Sequence, residues 1–462
     1  MAGHWPIDRR RFLTGSATLA AGVLGLQQQL AFAAQLNGGG VVAPRRGHHP
    51  AKAQRLLFIF LTGGFSHVDT FDPKPRLAKD QGRELATRQL RASPNAKLMP
   101  SPFKFTPHGH SGLPFSELFE QLGSVADDLC VIRSMHTDIV EHFQATLAMH
   151  TGSSTVPMPS IGSWVSYALG TFNPNLPPYV VLCEHLPYAG AQVFDSNFLP
   201  PVYQGVRIVP GDEPIPDLKS PIASGTLAQL EQRMLDDLNR VHAELRPDDL
   251  NLTARSASFA TARGMMQAAP EVFDLGRETP ETLSLYGAEP GDNESFAAQC
   301  LVARRLLERG VRTVELIDTG SGNNWDAHGD MQDHRPKAAR VDRALSGLIQ
   351  DLKRRGLLDD TLVAICTEFG RTPTMFNGKG REHFIDAFTC LLAGGGVRGG
   401  MSYGETDEYG MQLVRDNCHV HDYHATILHL LGLDHTRVTY RYAGRDFRLT
   451  DVHGRVLDAI LA

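Results

Sequence analysis

Five short stretches of this chain crowd imidazoles and carboxylates directly behind apolar runs. "GGFSHVDTFDPKP" offers His67, Asp69 and Asp72, and "SMHTDIVEHFQATLAMHTGSS" offers His136, Asp138, Glu141, His142 and His150. "NNWDAHGD" carries Asp326 and His328, two residues after "VRTVELIDTG", which ends at Gly320, and "CTEFGRTPTMFNGKGREHF" carries Glu368, Arg371, Glu382 and His383. The last, "NCHVHDYHATILHLLGL", holds His419, His421, Asp422, His424 and His429. Neutral imidazole beside ionised carboxylate is the donor set of a divalent-cation site, and twenty histidines in 462 residues raise that expectation.

The residues differ in what they suggest. Asp72 before Pro73 reads as a turn residue, whereas His67 and Asp69 fit loop capping and a site role equally. His142 opens a helical pattern, where the positive N-terminal field keeps an imidazole neutral and suits it to a ligand or a nucleophile. Glu368 follows "LVAIC" so closely that burying it requires a partner or a cation. Arg371 is that partner or, through its planar fork, a clamp for an anionic substrate. His424 and His429 read as members of a helix face with structural roles.

The elements that must position these groups follow from periodicity. "RLLFIFLTGG", "LCVIRSM", "YVVLC", "VRTVELID", "TLVAICTEFG" and "AFTCLLAGGG" are continuous apolar runs, as strands buried on both faces are. Between several of them the apolar residues recur at three and four, as over Phe296 to Arg309 and Ala338 to Lys353. Strand alternating with helix predicts an α/β fold, a three-layer α/β/α sandwich around a mostly parallel sheet. In such sheets, ligands collect at the carboxyl ends of the strands, where the polar stretches stand. The region of about 186–286 is Pro-rich and irregular, with one helical stretch, "GTLAQLEQRMLDDLNRVHAEL", and is expected to form an insertion or cap over the sheet edge.

A net charge of −6, without a basic block beyond the first residues, excludes nucleic acid as an expected partner. Six cysteines show no paired spacing, and Cys130, Cys183, Cys366 and Cys390 sit in apolar runs as small core residues. The first 33 residues read as a twin-arginine (Tat) export signal: Arg9 and Arg10 precede Arg11, Phe12 and Leu13, then a weakly apolar segment, then Ala31-Phe32-Ala33. The Tat export machinery is thus an expected partner, a periplasmic or extracellular location is expected, and no transmembrane span is expected in the mature chain. Residues 34–54 read as a flexible lead-in and 55–462 as the folded domain.

"LTGGFSHVDTFDPKP", "MHTDIVEHFQATLAMHTG", "WDAH", "EFGRTP", "GREHF", "LLAGGGVRGG", "YGETDEYG", "HDYHATILHLLGLDH" and "YRYAGRDFRLTDVHG" together resemble, in order, the Tat-exported bacterial family catalogued as domain of unknown function fifteen-oh-one. That family looks like a divergent branch of the alkaline phosphatase and sulfatase superfamily. The resemblance implies an alkaline phosphatase-like fold and metal-assisted hydrolysis of phosphate or sulfate esters, with an anionic ester or a glycan as substrate. It sets His142 at the nucleophile position and His383 at the last histidine. The first-strand aspartate position falls near Gly63 and Gly64, so Asp69 would serve there. The Asp-His pair falls on Glu368-Phe369, and the Asp-x-x-x-His pattern on Asn324 and His328, with Asp326 displaced by two. The implied metal ligands are Asp69, Asp326, His328, Glu368 and His383, holding Zn, Mn or Ca, with His142 as nucleophile or base and Arg371 as anion clamp. The alternative is a non-catalytic scaffold of the same fold that binds a glycan or a secreted protein.

Overall fold

The computed structural model describes residues 42–86, 95–215, 225–246 and 249–462. The expected export signal over 1–33 lies outside them. Among the described residues the central sheet has nine strands: β1 (Arg55–Phe60), β2 (Leu129–His136), β3 (Tyr179–Cys183), β4 (Val206–Ile208), β5 (Thr313–Ile317), β6 (Thr361–Cys366), β7 (Phe388–Ala393), β8 (Met401–Tyr403) and β9 (Cys418–His419). The spatial order is β8-β2-β7-β6-β1-β5-β3-β4, with β9 also paired to β2. β1 runs parallel to β6 and β5, β5 to β3, and β3 to β4; β7 is antiparallel to both its neighbours, β6 and β2. The six apolar runs are all strands of this sheet. β4, β8 and β9 are two or three residues long, too short for any periodicity to announce them.

Seven helices matter here: α1 (His142–Thr151), α2 (Ile161–Leu169), α3 (Gly225–Glu244), α4 (Leu250–Phe273), α5 (Phe296–Glu308), α6 (His334–Arg354) and α7 (Val420–Leu430). Successive residues of a strand point to opposite faces. Leu57 and Ile59 of β1 therefore join a core closed by α5 and α6. Leu56, Phe58 and Phe60 join a second core closed by α1, α2 and α7. Two cores on the two faces of one sheet make the three-layer α/β/α sandwich. Within 186–286, β4 pairs with β3 as an end strand of the sheet, and α3 and α4 follow it.

Helix ends are set locally. Ser295 and Ser160 accept the N–H of Ala298 and Ser163 at the starts of α5 and α2. At α7 a capping box forms between His419 and Asp422. Gly152, at φ 69°, ends α1 in the left-handed region. All six cysteines are buried and unpaired.

Two wholly buried histidines are expected to make the fold less stable in acid. His334 accepts the Ser66 N–H at 3.2 Å through Nε2, and His424 donates from Nε2 to the Met149 carbonyl at 2.7 Å. Burial, the largest influence on each, holds both down to about 3. Each ring is therefore neutral when folded and charges on unfolding, so its contribution is full above the unfolded value near 6.5 and is lost as the pH falls toward 3. Well below 6.5 the expected loss is about 1.4 kcal/mol per pH unit for each histidine. Urea melts at pH 7, 6 and 5 check this; replacing His424 with glutamine is expected to flatten the dependence.

Candidate metal centre

Four parallel strands deliver groups to one edge of the sheet. β1 leads to Gly63 and Gly64, β2 to His142 at the start of α1, β5 to Asp326 and His328, and β6 to Glu368 and Arg371. His383 precedes β7, and it reaches the same edge because β7 runs against the others, so its start lies where they finish.

Asp326 is the hub. Its Oδ1 lies 2.8 Å from His328 Nε2, 3.4 Å from His383 Nε2 and 2.6 Å from Arg371 Nη2, while Oδ2 lies 3.3 Å from His142 Nε2. Burial works against its charge, but the contacts from His142, His328, His383 and Arg371 prevail and hold it far below the ordinary carboxylate range. Asn324 shapes the turn that presents this carboxylate. Its Oδ1 accepts the Asp326 N–H at 3.1 Å, fixing the turn, and its Nδ2 donates to the Tyr188 hydroxyl at 3.0 Å. Tyr188 in turn stacks on His142, with ring centroids 4.2 Å apart and planes at 13°. Gly63, at φ 113°, is required here, since a Cβ would stand 2.7 Å from Asn324 Oδ1 and from the Trp325 nitrogen.

The imidazoles are held in defined tautomers. His383 Nδ1 lies 2.8 Å from the Val140 carbonyl, which only accepts, so Nδ1 carries the proton and Nε2 the lone pair. His142 Nδ1 donates to Glu368 Oε1 at 2.7 Å, which likewise directs Nε2 toward Asp326. Burial lowers the proton affinity of both rings. In His142 the carboxylates of Asp326 and Glu368 outweigh it and raise the ring, whereas His383 stays lowered, with Arg371 and His142 adding to burial. His142 Nε2 and His328 Nδ1 are buried atoms that make no well-directed hydrogen bond, their neighbours being Asp326 Oδ2 at 3.3 Å and Glu382 Oε1 at 3.5 Å.

Two groups of three among the described residues bring ligand atoms close enough to share an ion: His142, Asp326 and His383, and His328, Glu382 and His383. They are alternatives for a single ion, because His383 offers one lone pair. The first fits a metal better. Its histidines are backed by Glu368 and by the Val140 carbonyl, the outer-shell pattern of metal-bound imidazoles, and the buried His142 Nε2 is accounted for.

Three of the expected residues have partners that bear on their roles. Asp69 is wholly buried, with Arg381 Nε 2.6 Å from Oδ2, Nη2 3.1 Å from Oδ1, and the Ser66 hydroxyl 2.6 Å from Oδ2. Glu368, also wholly buried, is not among the grouped ligands; its oxygens accept the Gly63 N–H at 2.9 and 3.0 Å and His142 Nδ1, so it acts through His142. Burial would raise it, but His142 and the Gly63 amide hold it lowered. Arg371 is not the partner of Glu368. It lies wholly buried against Asp326, donates from Nε to the Gly64 carbonyl at 2.8 Å and from Nη2 to the Gly63 carbonyl, and keeps Nη1 facing His328 Nε2 at 3.5 Å.

Glu382 was noted in its cluster but not placed among the implied ligands, and Tyr188 was not noted at all. The adjacency of Glu382 to His383 was a signal for the first. Nothing in the sequence links Tyr188 to His142. Asp318 turns away to the Trp325 indole at 2.8 Å and to Arg340, and His150 turns into the sheet to Glu315 at 2.9 Å.

The chain is similar in structure to several solved proteins at low identity. The lipoteichoic acid synthase LtaP from Listeria monocytogenes is 9% identical, with 88% of this chain and 78% of that chain covered and a TM-score of 0.38. A protein in the alkaline phosphatase superfamily from Vibrio parahaemolyticus is 12% identical over 94% and 79%, with a TM-score of 0.36. The alkaline phosphatase from the Antarctic bacterium TAB5 is 10% identical over 74% and 92%, with a TM-score of 0.29. No curated protein matches the chain. Residues 53–461 match the family described as Protein of unknown function (DUF1501), and the chain belongs to that family.

Proposed function

We propose that the chain is an exported, metal-dependent hydrolase of phosphate or sulfate esters. The observation that carries this reading is the triad of His142, Asp326 and His383 at the carboxyl edge of the sheet, with both histidines backed by fixed acceptors. Two nitrogens and one oxygen favour zinc over the oxygen-seeking calcium, and three protein ligands leave a position open, as in catalytic zinc sites. Held by His142, Asp326 and His383, a divalent metal would supply Lewis-acid polarisation of the ester oxygen and acidify water.

The chain's own groups do the rest. His328, whose Nε2 lies beside Asp326 and 3.0 Å from His383 Nε2, takes the proton of the attacking water as the water oxygen bonds to the phosphorus or sulfur centre; the bond from that centre to the ester oxygen breaks, and the departing alkoxide takes its proton from solvent. Glu382 Oε1, 3.5 Å from His328 Nδ1, steadies the resulting imidazolium. Arg371 Nη1 faces the same space and stabilises negative charge on the ester oxygens. Tyr188 covers one face of His142 and keeps water from it. His142 thus serves as a ligand, while the acid–base role passes to His328. Export rests on the Arg9-Arg10 signal pattern, and no helix among the described residues is long and apolar enough to cross a membrane.

The test is hydrolysis of 4-nitrophenyl phosphate and sulfate by the full chain before chelation, after it, and after zinc is restored. Turnover is expected to disappear and return, and His328→Gln is expected to lower kcat roughly 100-fold while keeping the metal. Turnover indifferent to chelator contradicts the reading. The contact of Arg371 with Asp326 at 2.6 Å favours the second reading, a non-catalytic scaffold, which predicts no turnover of either ester.

A further inference from the structure

Helix α3 is built inside out. None of its residues is buried, although Leu227, Leu230, Met234, Leu238 and Val241, with Leu245 in the turn that ends it, form an apolar series 50–74% exposed. The intervals are three, four, four, three and four, an eleven-residue repeat that keeps the series on one nearly straight stripe. At about 100° per residue, Asp236 falls on the opposite side of the helix. There it pairs with Arg263 of α4 at 3.3 Å, so the polar side faces the protein and the apolar side faces away.

We propose that this stripe is the interface between two copies of the chain, paired antiparallel about a two-fold axis near position 236. A two-fold interface must be complementary to itself. Reversing the stripe about 236 carries Leu227 onto Leu245 and Met234 onto Leu238, and brings Leu230 within one residue of Val241. The same reversal carries Glu231 onto position 241, one residue from His242 of the partner subunit. The exposed side chains present on the order of 600 Å² per copy, and a self-pair buries on the order of 1,200 Å², enough for a stable interface. Four carboxylates (Glu231, Asp236, Asp237, Glu244) against two guanidinium groups (Arg233, Arg240) argue against a lipid surface, which selects basic polar faces.

The inference stands apart from the hydrolase reading and is tested without an activity assay. In sedimentation of the full chain at about 1–50 μM, wild type is expected to be a dimer. Leu238→Glu is expected to weaken it at least about 100-fold, since each dimer loses two apolar contacts next to the axis. Unchanged far-UV circular dichroism and Tm show that the variant folds, as its exposed position requires. Direction is read from cysteines, because the native six are buried. An equal mixture of Leu227→Cys and Leu245→Cys is expected to form a disulfide-linked dimer on mild oxidation, and neither variant alone. A monomeric wild type, a wild type that cosediments with phosphatidylcholine vesicles instead of dimerising, a Leu238→Glu dimer of wild-type strength, or cross-linking by Leu227→Cys alone overturns the proposal.

Discussion

Asp326→Ala is expected to cost the protein its metal and its hydrolytic activity together while leaving it folded. Three imidazoles and one guanidinium lie between 2.6 and 3.4 Å of this one carboxylate. Losing a ligand is expected to weaken metal binding by more than the 10- to 100-fold typical of outer-shell partners, and turnover by at least about 1,000-fold. The side chain is 24% exposed and closes no apolar core, so Tm is expected to stay within a few degrees. Asp326→Asn separates charge from shape: it retains an oxygen, yet is expected to lose most of the metal because the anion that neutralises the cation is gone. Elemental analysis and the 4-nitrophenyl ester assays on both variants check this, and wild-type metal content in Asp326→Ala would sink it.

Asp69→Ala is expected to do the reverse, unsettling the fold. Asp69 and Arg381 are both fully buried and joined at 2.6 and 3.1 Å, and Arg381 also donates to the Thr372 carbonyl at 3.0 Å and the Met99 carbonyl at 3.1 Å. Burial disfavours the charged form of Asp69, but Arg381 and Ser66 hold it ionised. Removing the carboxylate strands a buried guanidinium, which costs about 3–5 kcal/mol. A Tm lower by roughly 5 °C or more is expected by calorimetry. Asp69→Asn keeps the shape and is expected to retain the full metal-to-protein ratio in its folded fraction; loss of metal there would restore Asp69 as a ligand.

These two aspartates show what the sequence could and could not convey. Both follow an apolar run, and both stand in a polar cluster. The local pattern located the strand ends because a parallel sheet puts every such end on one edge, and this is why Asp326, His328, Glu368 and His142 meet. It could not show that Arg381, 312 positions along the chain, forks onto Asp69, since no local property encodes that pairing. Glu368 was identified as needing a partner, but choosing between Arg371 and His142 depended on which side of the turn each ring or guanidinium takes. His383 was found as a residue, while its access to the site depended on β7 running antiparallel. Tyr188 and the Val140 carbonyl were beyond reach for the same reason: their roles are contacts across loops, with no periodicity to mark them.

The metal content of the purified full chain tests the metal centre most directly: about one transition-metal ion per chain is expected, removed by chelator and absent from His142→Ala, Asp326→Ala and His383→Ala, with the wild-type ratio kept in Glu382→Gln. A wild-type chain that takes up no metal after zinc is supplied, or a triad variant that holds it as tightly as wild type, contradicts it.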